Sequence, residues 1–170
     1  MPFCEVNGVS LFYSDQGQGE CLVLLHGLGQ NITSWENQIR ELALTHRVVS
    51  LDLRGHGHSG DNEETITINL LAEDLAGLLD HLEIERVHLC GLSMGGLIAL
   101  EFYKLYPGKV RSLILANTFA NIPEPHRTLN LQQWLEMLDE LSMEEYGKIF
   151  ALNCLSKQVS AETYMQVAEM

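Results

Sequence analysis

Gly91-Leu92-Ser93-Met94-Gly95 sets a serine between two glycines, directly after the apolar run Arg86 to Cys90 and directly before a helical stretch. That is the sequence form of a nucleophile elbow. A serine on a sharp strand-to-helix turn has strained backbone angles, and glycine two residues to either side removes the Cβ atoms that would crowd it. The turn lifts the hydroxyl out of the sheet, where it can attack an electrophilic carbon. The first N–H groups of the following helix lack an intrahelical acceptor, so the positive helix end can stabilise an oxyanion developing beside the serine.

The elements that must carry this turn follow from the hydrophobic pattern. Phe3 to Val6 and Val9 to Ser14 flank Asn7-Gly8, a dipeptide favoured in tight turns, and predict an opening β-hairpin. Cys21 to Leu25 and Arg47 to Leu51 are continuous apolar runs, as suits strands covered on both faces. Between them, Thr33 to Leu44 carries Trp35, Ile39 and Leu42 at helical spacing. Leu71, Leu75, Leu78, Leu79 and Leu82 form one apolar stripe of a second helix, with Glu73, Asp74 and Asp80 expected to turn away from it. Val87 to Cys90 predicts a buried strand before the elbow. Met94 to Tyr106 predicts a helix stopped by Pro107-Gly108, and Val110 to Ala116 a further strand. This alternation predicts an α/β fold with a mainly parallel central sheet and helices on both faces.

From about Asn117 the composition changes. Ile122-Pro123-Glu124-Pro125 reads as a linker, and from Asn130 the pattern is helical, with Leu131, Trp134, Leu135, Leu138 and Leu141 on one face. Ser142-Met143-Glu144-Glu145 has the form of a capping box, and Ser160 that of another helix cap. The expected division is a core over residues 1–120 and a helical cap or lid segment over 121–170. An amphipathic helix by itself shows only a buried face, so a lid lined by Trp134, Met137 and Met143 and a plain packing layer both stay open.

With 170 residues, 46% of them hydrophobic and 19% charged, the chain suits one globular domain. A net charge of −13 argues against nucleic-acid and anionic-membrane partners. No apolar run is long enough to span a bilayer, and the first residues read as a strand rather than a signal segment, which predicts a cytoplasmic protein. Cys4, Cys21, Cys90 and Cys154 are widely spaced among apolar neighbours, as reduced core thiols would be. His56 and His58 find no third ligand at metal spacing. Gly55-His56-Gly57-His58-Ser59-Gly60 fits the letter of a dinucleotide fingerprint, but Asp61, Glu63 and Glu64 follow it and would repel a pyrophosphate. His46, His81 and His88 read as surface or structural residues.

Three motifs occur in order: His26-Gly27-Leu28-Gly29 after the third strand, Asp52-Leu53-Arg54-Gly55-His56-Gly57-His58-Ser59 after the fourth, and Gly91-Leu92-Ser93-Met94-Gly95-Gly96 after the fifth. Over residues 1 to about 120 the chain resembles the α/β-hydrolase superfamily, in the branch of small-molecule esterases, enol-lactonases, carbon–carbon bond hydrolases and cofactor-free haloperoxidases. The resemblance implies that Ser93 is the nucleophile and that the N–H groups of Leu28 and Met94 are the oxyanion donors. His26, Gly27, Gly29, Arg54, His56, Gly91 and Gly95 fall in the loops that shape such a site. The implied activity is hydrolysis of an ester, lactone or related acyl small molecule, with no cofactor and no metal.

The same family carries a carboxylate after a seventh strand and a histidine after an eighth. Neither has a counterpart here, since helices follow the sixth strand and His126 is the only histidine beyond the elbow. Where some relatives place the acid after the sixth strand, this chain has Asn117, an amide. A serine hydroxyl needs a base, and the base a partner that orients it. The expectation is therefore the N-terminal portion of a longer hydrolase or a truncated gene product. Its alternative is a compact variant protected by its tail or by a partner. In function, the alternative to an active serine hydrolase is a catalytically incompetent protein that at most binds a small ligand. Without later strands, residues 110–116 would form an exposed apolar edge open to self-association.

Overall fold

The computed structural model describes residues 2–121 continuously and, beyond them, residues 125, 126, 128, 132, 141, 142, 145, 148 and 149. Strands β1 (Phe3–Val6) and β2 (Val9–Gln16) form the hairpin around Asn7 and Gly8, both at positive φ (47° and 77°). Positive φ at both central residues matches the twist of the flanking strands, which is why Asn-Gly works there. β3 (Cys21–Leu25), β4 (Arg47–Leu51), β5 (Val87–Leu92) and β6 (Val110–Ala116) complete a six-stranded sheet in the order β1-β2-β4-β3-β5-β6. β2 runs antiparallel to β4, and β4, β3, β5 and β6 are mutually parallel.

Strand alternation sorts the apolar side chains into two layers. Val23, Leu25, Val49, Leu51, Val87 and Leu89 face α2 (Ile68–His81) and α3 (Met94–Leu105) in the larger core. Leu22, Leu24, Val48 and Cys90 face the other way and pack with Ile39 of α1 (Glu36–Leu42). The fold is thus an α/β sandwich of three layers with its inner parallel strands β3, β4 and β5 covered on both sides. The first helix is shorter than its pattern suggested. A 3-10 turn at Ile32–Trp35, capped by the Asn31 side chain on Thr33 N–H, precedes α1, and the chain leaves the helix at Ala43.

In α2, Leu71, Leu75, Leu78 and Leu79 are fully buried, each contributing about 1.5–3 kcal/mol of hydrophobic stabilisation. Thr67 caps the helix by accepting from Leu70 N–H. Asp74 does not turn away from this stripe. It is 1% exposed, because it meets the buried guanidinium of Arg54. Glu73 and Asp80 are exposed, as expected.

β6 ends the sheet among the described residues, with Ile114 49% and Leu115 45% exposed. Cys4, Cys21 and Cys90 are buried free thiols, and burial pushes the Cys21 thiol up to about 11. No described helix is long and apolar enough to cross a membrane. Backbone contacts divide the chain into Met1–Ala120 and Asn121–Met170. In the second unit, Ser142 and Glu145 form the expected capping box: Glu145 N–H donates to Ser142 Oγ at 3.3 Å and Ser142 N–H to Glu145 Oε2 at 3.0 Å. Residues 122–124 of the expected linker at 122–125, residues Leu131, Trp134, Leu135 and Leu138 of the expected helical face, the lid-lining candidates Met137 and Met143, the Ser160 cap and Cys154 lie outside the described residues.

Candidate active site

Ser93 sits between the last residue of β5 and the first of α3, at φ 50° and ψ −113°. A non-glycine residue in that region carries about 1–3 kcal/mol of strain and persists only where its surroundings over-determine it. Here its N–H donates to the Ala116 carbonyl at 3.0 Å, and its carbonyl accepts from Gly96 N–H at 2.9 Å and Thr118 Oγ1 at 2.7 Å. The flanking glycines close the turn. A Cβ on Gly91 would run into the Gly95 carbonyl, and one on Gly95 into the carbonyl oxygens of Leu25 and His26. The first turn of α3 therefore rests on the end of β3, which brings the 26–31 loop alongside. A Cβ on Gly27 would lie 3.5 Å from Ser93 Cβ.

Within that loop, His26 is fully buried and its two ring nitrogens have distinct partners. Nε2 accepts from Leu53 N–H at 3.0 Å, so Nδ1 carries the proton and donates to the Gly27 carbonyl at 2.8 Å. Burial holds this imidazole neutral, with its pKa pushed down to about 4. The Gly27 carbonyl also accepts from Gln30 N–H at 3.2 Å, while Gln30 Oε1 accepts from Gly27 N–H at 2.9 Å. The Gly27 carbonyl and the Leu28 N–H belong to one planar trans peptide, so anchoring the first turns the second the opposite way. Leu28 N–H has no acceptor among the described residues. Gly29 follows at φ 70°, a conformation that favours glycine. Met94 opens α3, so its N–H has no carbonyl one turn earlier to meet.

The loop after β4 supports this arrangement through two buried carboxylates. Asp52 is 1% exposed and accepts from Ile32 N–H and His58 N–H, each at 2.8 Å, tying the loop after β3 to the loop after β4. Gly57 comes so close that a Cβ there would overlap the Asp52 carboxylate. Arg54 is fully buried and grips Asp74 with Nε and Nη2, both at 2.8 Å, while Nη1 donates to Asn62 and Nη2 to the Asn7 carbonyl. Asp74 and the Asn7 carbonyl hold Arg54 toward α2 and the hairpin; none of its partners belongs to the elbow. His56 Nδ1 lies 3.0 Å from the Arg54 carbonyl, and its ring stands 5.3 Å from that of His26.

Among the described residues, nothing accepts from or donates to Ser93 Oγ, and His26 is excluded as its base because both ring nitrogens are committed. Among the same residues, no three His, Cys, Asp or Glu side chains converge as a metal site would require. After Gly60 no helix begins until Ile68, so the glycine-rich stretch lacks the helix N-terminus that a pyrophosphate would need. A cleft of about 580 Å³ does exist, lined by Cys21, Arg47, Glu83, Arg86 and Arg111 among others. It lies where the parallel strands begin, at the end of the sheet opposite to Ser93.

Residues 20–151 match the α/β hydrolase fold family. The chain belongs to that family. A 3-oxoadipate enol-lactonase of Acinetobacter baylyi is 36% identical over 118 residues, which make up 68% of this chain and 44% of the lactonase. A putative carbamate hydrolase of Azorhizobium caulinodans is 34% identical over 120 residues, 71% of this chain and 45% of that protein. A thermophilic esterase from Thermogutta terrifontis superposes with a TM-score of 0.82 at 29% identity, covering 99% of this chain and 64% of the esterase. The chain thus spans less than half the length of these two curated relatives.

In this α/β hydrolase the structure brings Ser93, Met94, Gly91, Gly95, His26, Gly27 and Leu28 together, and leaves Arg54 to brace the neighbouring loop. The sequence assigned no role to three residues that hold the elbow and its loop: Gln30, Asp52, which stands in the second motif, and Thr118. Asp52 carried a signal, since an acid directly after a buried apolar strand needs donors wherever it lands. Gln30 and Thr118 carried none, because their bonds to backbone groups depend on loop paths that periodicity does not encode.

Proposed function

We propose that this α/β hydrolase acts as a serine hydrolase on an ester, lactone or related acyl small molecule. The carrying observation is the strained Ser93 backbone beside two backbone N–H groups, of Leu28 and Met94, that have no acceptor of their own among the described residues. In this reading Ser93 Oγ attacks the substrate carbonyl carbon and its proton passes to a base. The carbonyl oxygen takes the negative charge between Leu28 N–H and Met94 N–H, and the leaving group departs with a proton. Water then releases the acyl group and restores the hydroxyl. Losing one such donor costs about 100- to 1000-fold in rate in enzymes of this chemistry, so the two N–H groups would supply a large share of the acceleration. The names of the lactonase and esterase relatives support the substrate class.

A second reading has its own observation. Ser93 Oγ lacks a hydrogen-bonded base among the described residues, and an unactivated serine would leave a hydrolase-fold protein that at most binds a small ligand at the elbow. Stoichiometric labelling of the purified chain with a fluorophosphonate, with Ser93→Ala as control, separates the two. Rapid labelling that disappears in Ser93→Ala supports the hydrolase; a folded wild type that stays unlabelled supports the binding protein.

A further inference from the structure

The end of β6 grips Ser93 on both sides. Ala116 accepts its N–H, and the chain then turns at Asn117, at φ 43°, so that Thr118 donates its hydroxyl to the Ser93 carbonyl at 2.7 Å. The fit is close: a Cβ on Gly96 would come within 2.6 Å of Thr118 Cβ, so the helix offers Thr118 a bare glycine to rest on. Of the donors to that carbonyl, the hydroxyl is the nearest. Gly96 N–H is at 2.9 Å, and Leu97 N–H, the regular helical bond, is at 3.4 Å. The helix's own first bond is therefore weak where the elbow needs rigidity.

The Ser93 carbonyl and the Met94 N–H are the two ends of one planar trans peptide. Whatever fixes the carbonyl also fixes the direction of the N–H. The 26–31 loop repeats the device, since His26 Nδ1–H holds the Gly27 carbonyl and so directs Leu28 N–H. Each free N–H is thus aimed by a side-chain bond to the carbonyl of its own peptide. We propose that Thr118 is a positioning residue: by holding the Ser93 carbonyl it aims the Met94 N–H at the oxygen of a substrate carbonyl under attack by Ser93. This rests on the serine-hydrolase reading and adds to it a residue outside the three sequence motifs.

The test uses the full 170-residue chain, with Thr118→Val and Thr118→Ala removing the hydroxyl and Thr118→Ser keeping it. Backbone N–H dipolar couplings in a weakly aligned medium report the direction of the Met94 N–H. Phenylboronic acid, which forms a tetrahedral adduct with an accessible active-site serine, reports what that direction contributes. Both hydroxyl-free variants should shift the Met94 coupling while leaving those of α2 in place, and should weaken boronate binding about ten-fold, the equivalent of one hydrogen bond. Thr118→Ser should restore both. A Met94 coupling unmoved in Thr118→Val and Thr118→Ala, or a Thr118→Ser variant no better than Thr118→Val, overturns the proposal. Boronate binding indifferent to Ser93→Ala overturns the serine reading instead, and the couplings judge Thr118 independently of it.

Discussion

Arg54 and Asp74 form a two-pronged ion pair, Nε to Oδ2 and Nη2 to Oδ1 at 2.8 Å each, with side chains 0% and 1% exposed. The pair fastens the loop after β4 to α2, and Asn7 Nδ2 adds a bond to the same carboxylate. Neutralising Asp74 leaves the buried Arg54 charge with only the exposed Glu64 carboxylate, 3.9 Å away, which costs more than the intact pair contributes. Asp74→Asn is expected to lower the unfolding free energy by about 3–5 kcal/mol. Chemical denaturation should show a lower midpoint with an unchanged slope. A loss below 1 kcal/mol would show that the guanidinium escapes to water.

The buried imidazole of His26 couples stability to pH. Burial holds its folded pKa at about 4, against 6.5 for an ordinary histidine. Between those values the unfolded chain binds a proton that the folded chain refuses, so stability falls as pH drops through that window. The contribution is fully present above about pH 6.5, and the loss by about pH 4 amounts to about 3 kcal/mol. Protonation would also set an Nε2–H against the Leu53 N–H, so the 26–31 loop should loosen with it. Comparing the pH dependence of unfolding in wild type and His26→Gln checks this: the variant should lose that component of the slope.

Strand limits were largely legible because apolar runs and turn residues are local signals: β3, β4 and β6 span the residues their composition predicted. The elbow was legible because Gly91 answers a clash within its own turn, with the Gly95 carbonyl, although Gly95 answers one with Leu25 and His26 that only the folded sheet brings near. Asp74 was misplaced because its environment is set by Arg54, twenty positions away, and a helical wheel cannot see a partner arriving from a loop. Asp52 and Thr118 went without a role for the same reason: each bonds a backbone group on a neighbouring segment, and the pairing exists only once the sheet order has brought β3, β4, β5 and β6 side by side, while Gln30 folds back on Gly27 N–H within its own loop.

The two elbow glycines should be intolerant of even a methyl group. Gly95→Ala would drive a Cβ into the backbone oxygens of Leu25 and His26, groups that cannot rotate aside. Relieving that overlap means lifting α3 off β3, at a cost of about 1–3 kcal/mol or more. Gly108→Ala is the matched control, because nothing lies within 4 Å of a Cβ there. Thermal melts should place Gly108→Ala near the wild type and Gly95→Ala several degrees below it. Equal melting points would show that the turn has slack.

The sequence of β6 sets the form that self-association through this edge would take. An antiparallel pairing of two copies centred on Leu113 sets Arg111 opposite Leu115 and Ser112 opposite Ile114, so the strand's single charge never meets its own copy. Such a two-fold contact joins two sheets through backbone hydrogen bonds while covering Ile114 and Leu115, which are otherwise half exposed. No proline or lysine interrupts the strand to prevent it. With Ile114→Lys, like charges would sit diagonally across the centre of the pairing, within reach of each other's long side chains, since position 114 of one copy lies opposite 112 and diagonal to 114 of the other. Sedimentation velocity over a concentration series should show wild-type dimers that give way to monomer in Ile114→Lys. A wild type that stays monomeric throughout the series would rule out β6 as a self-association edge.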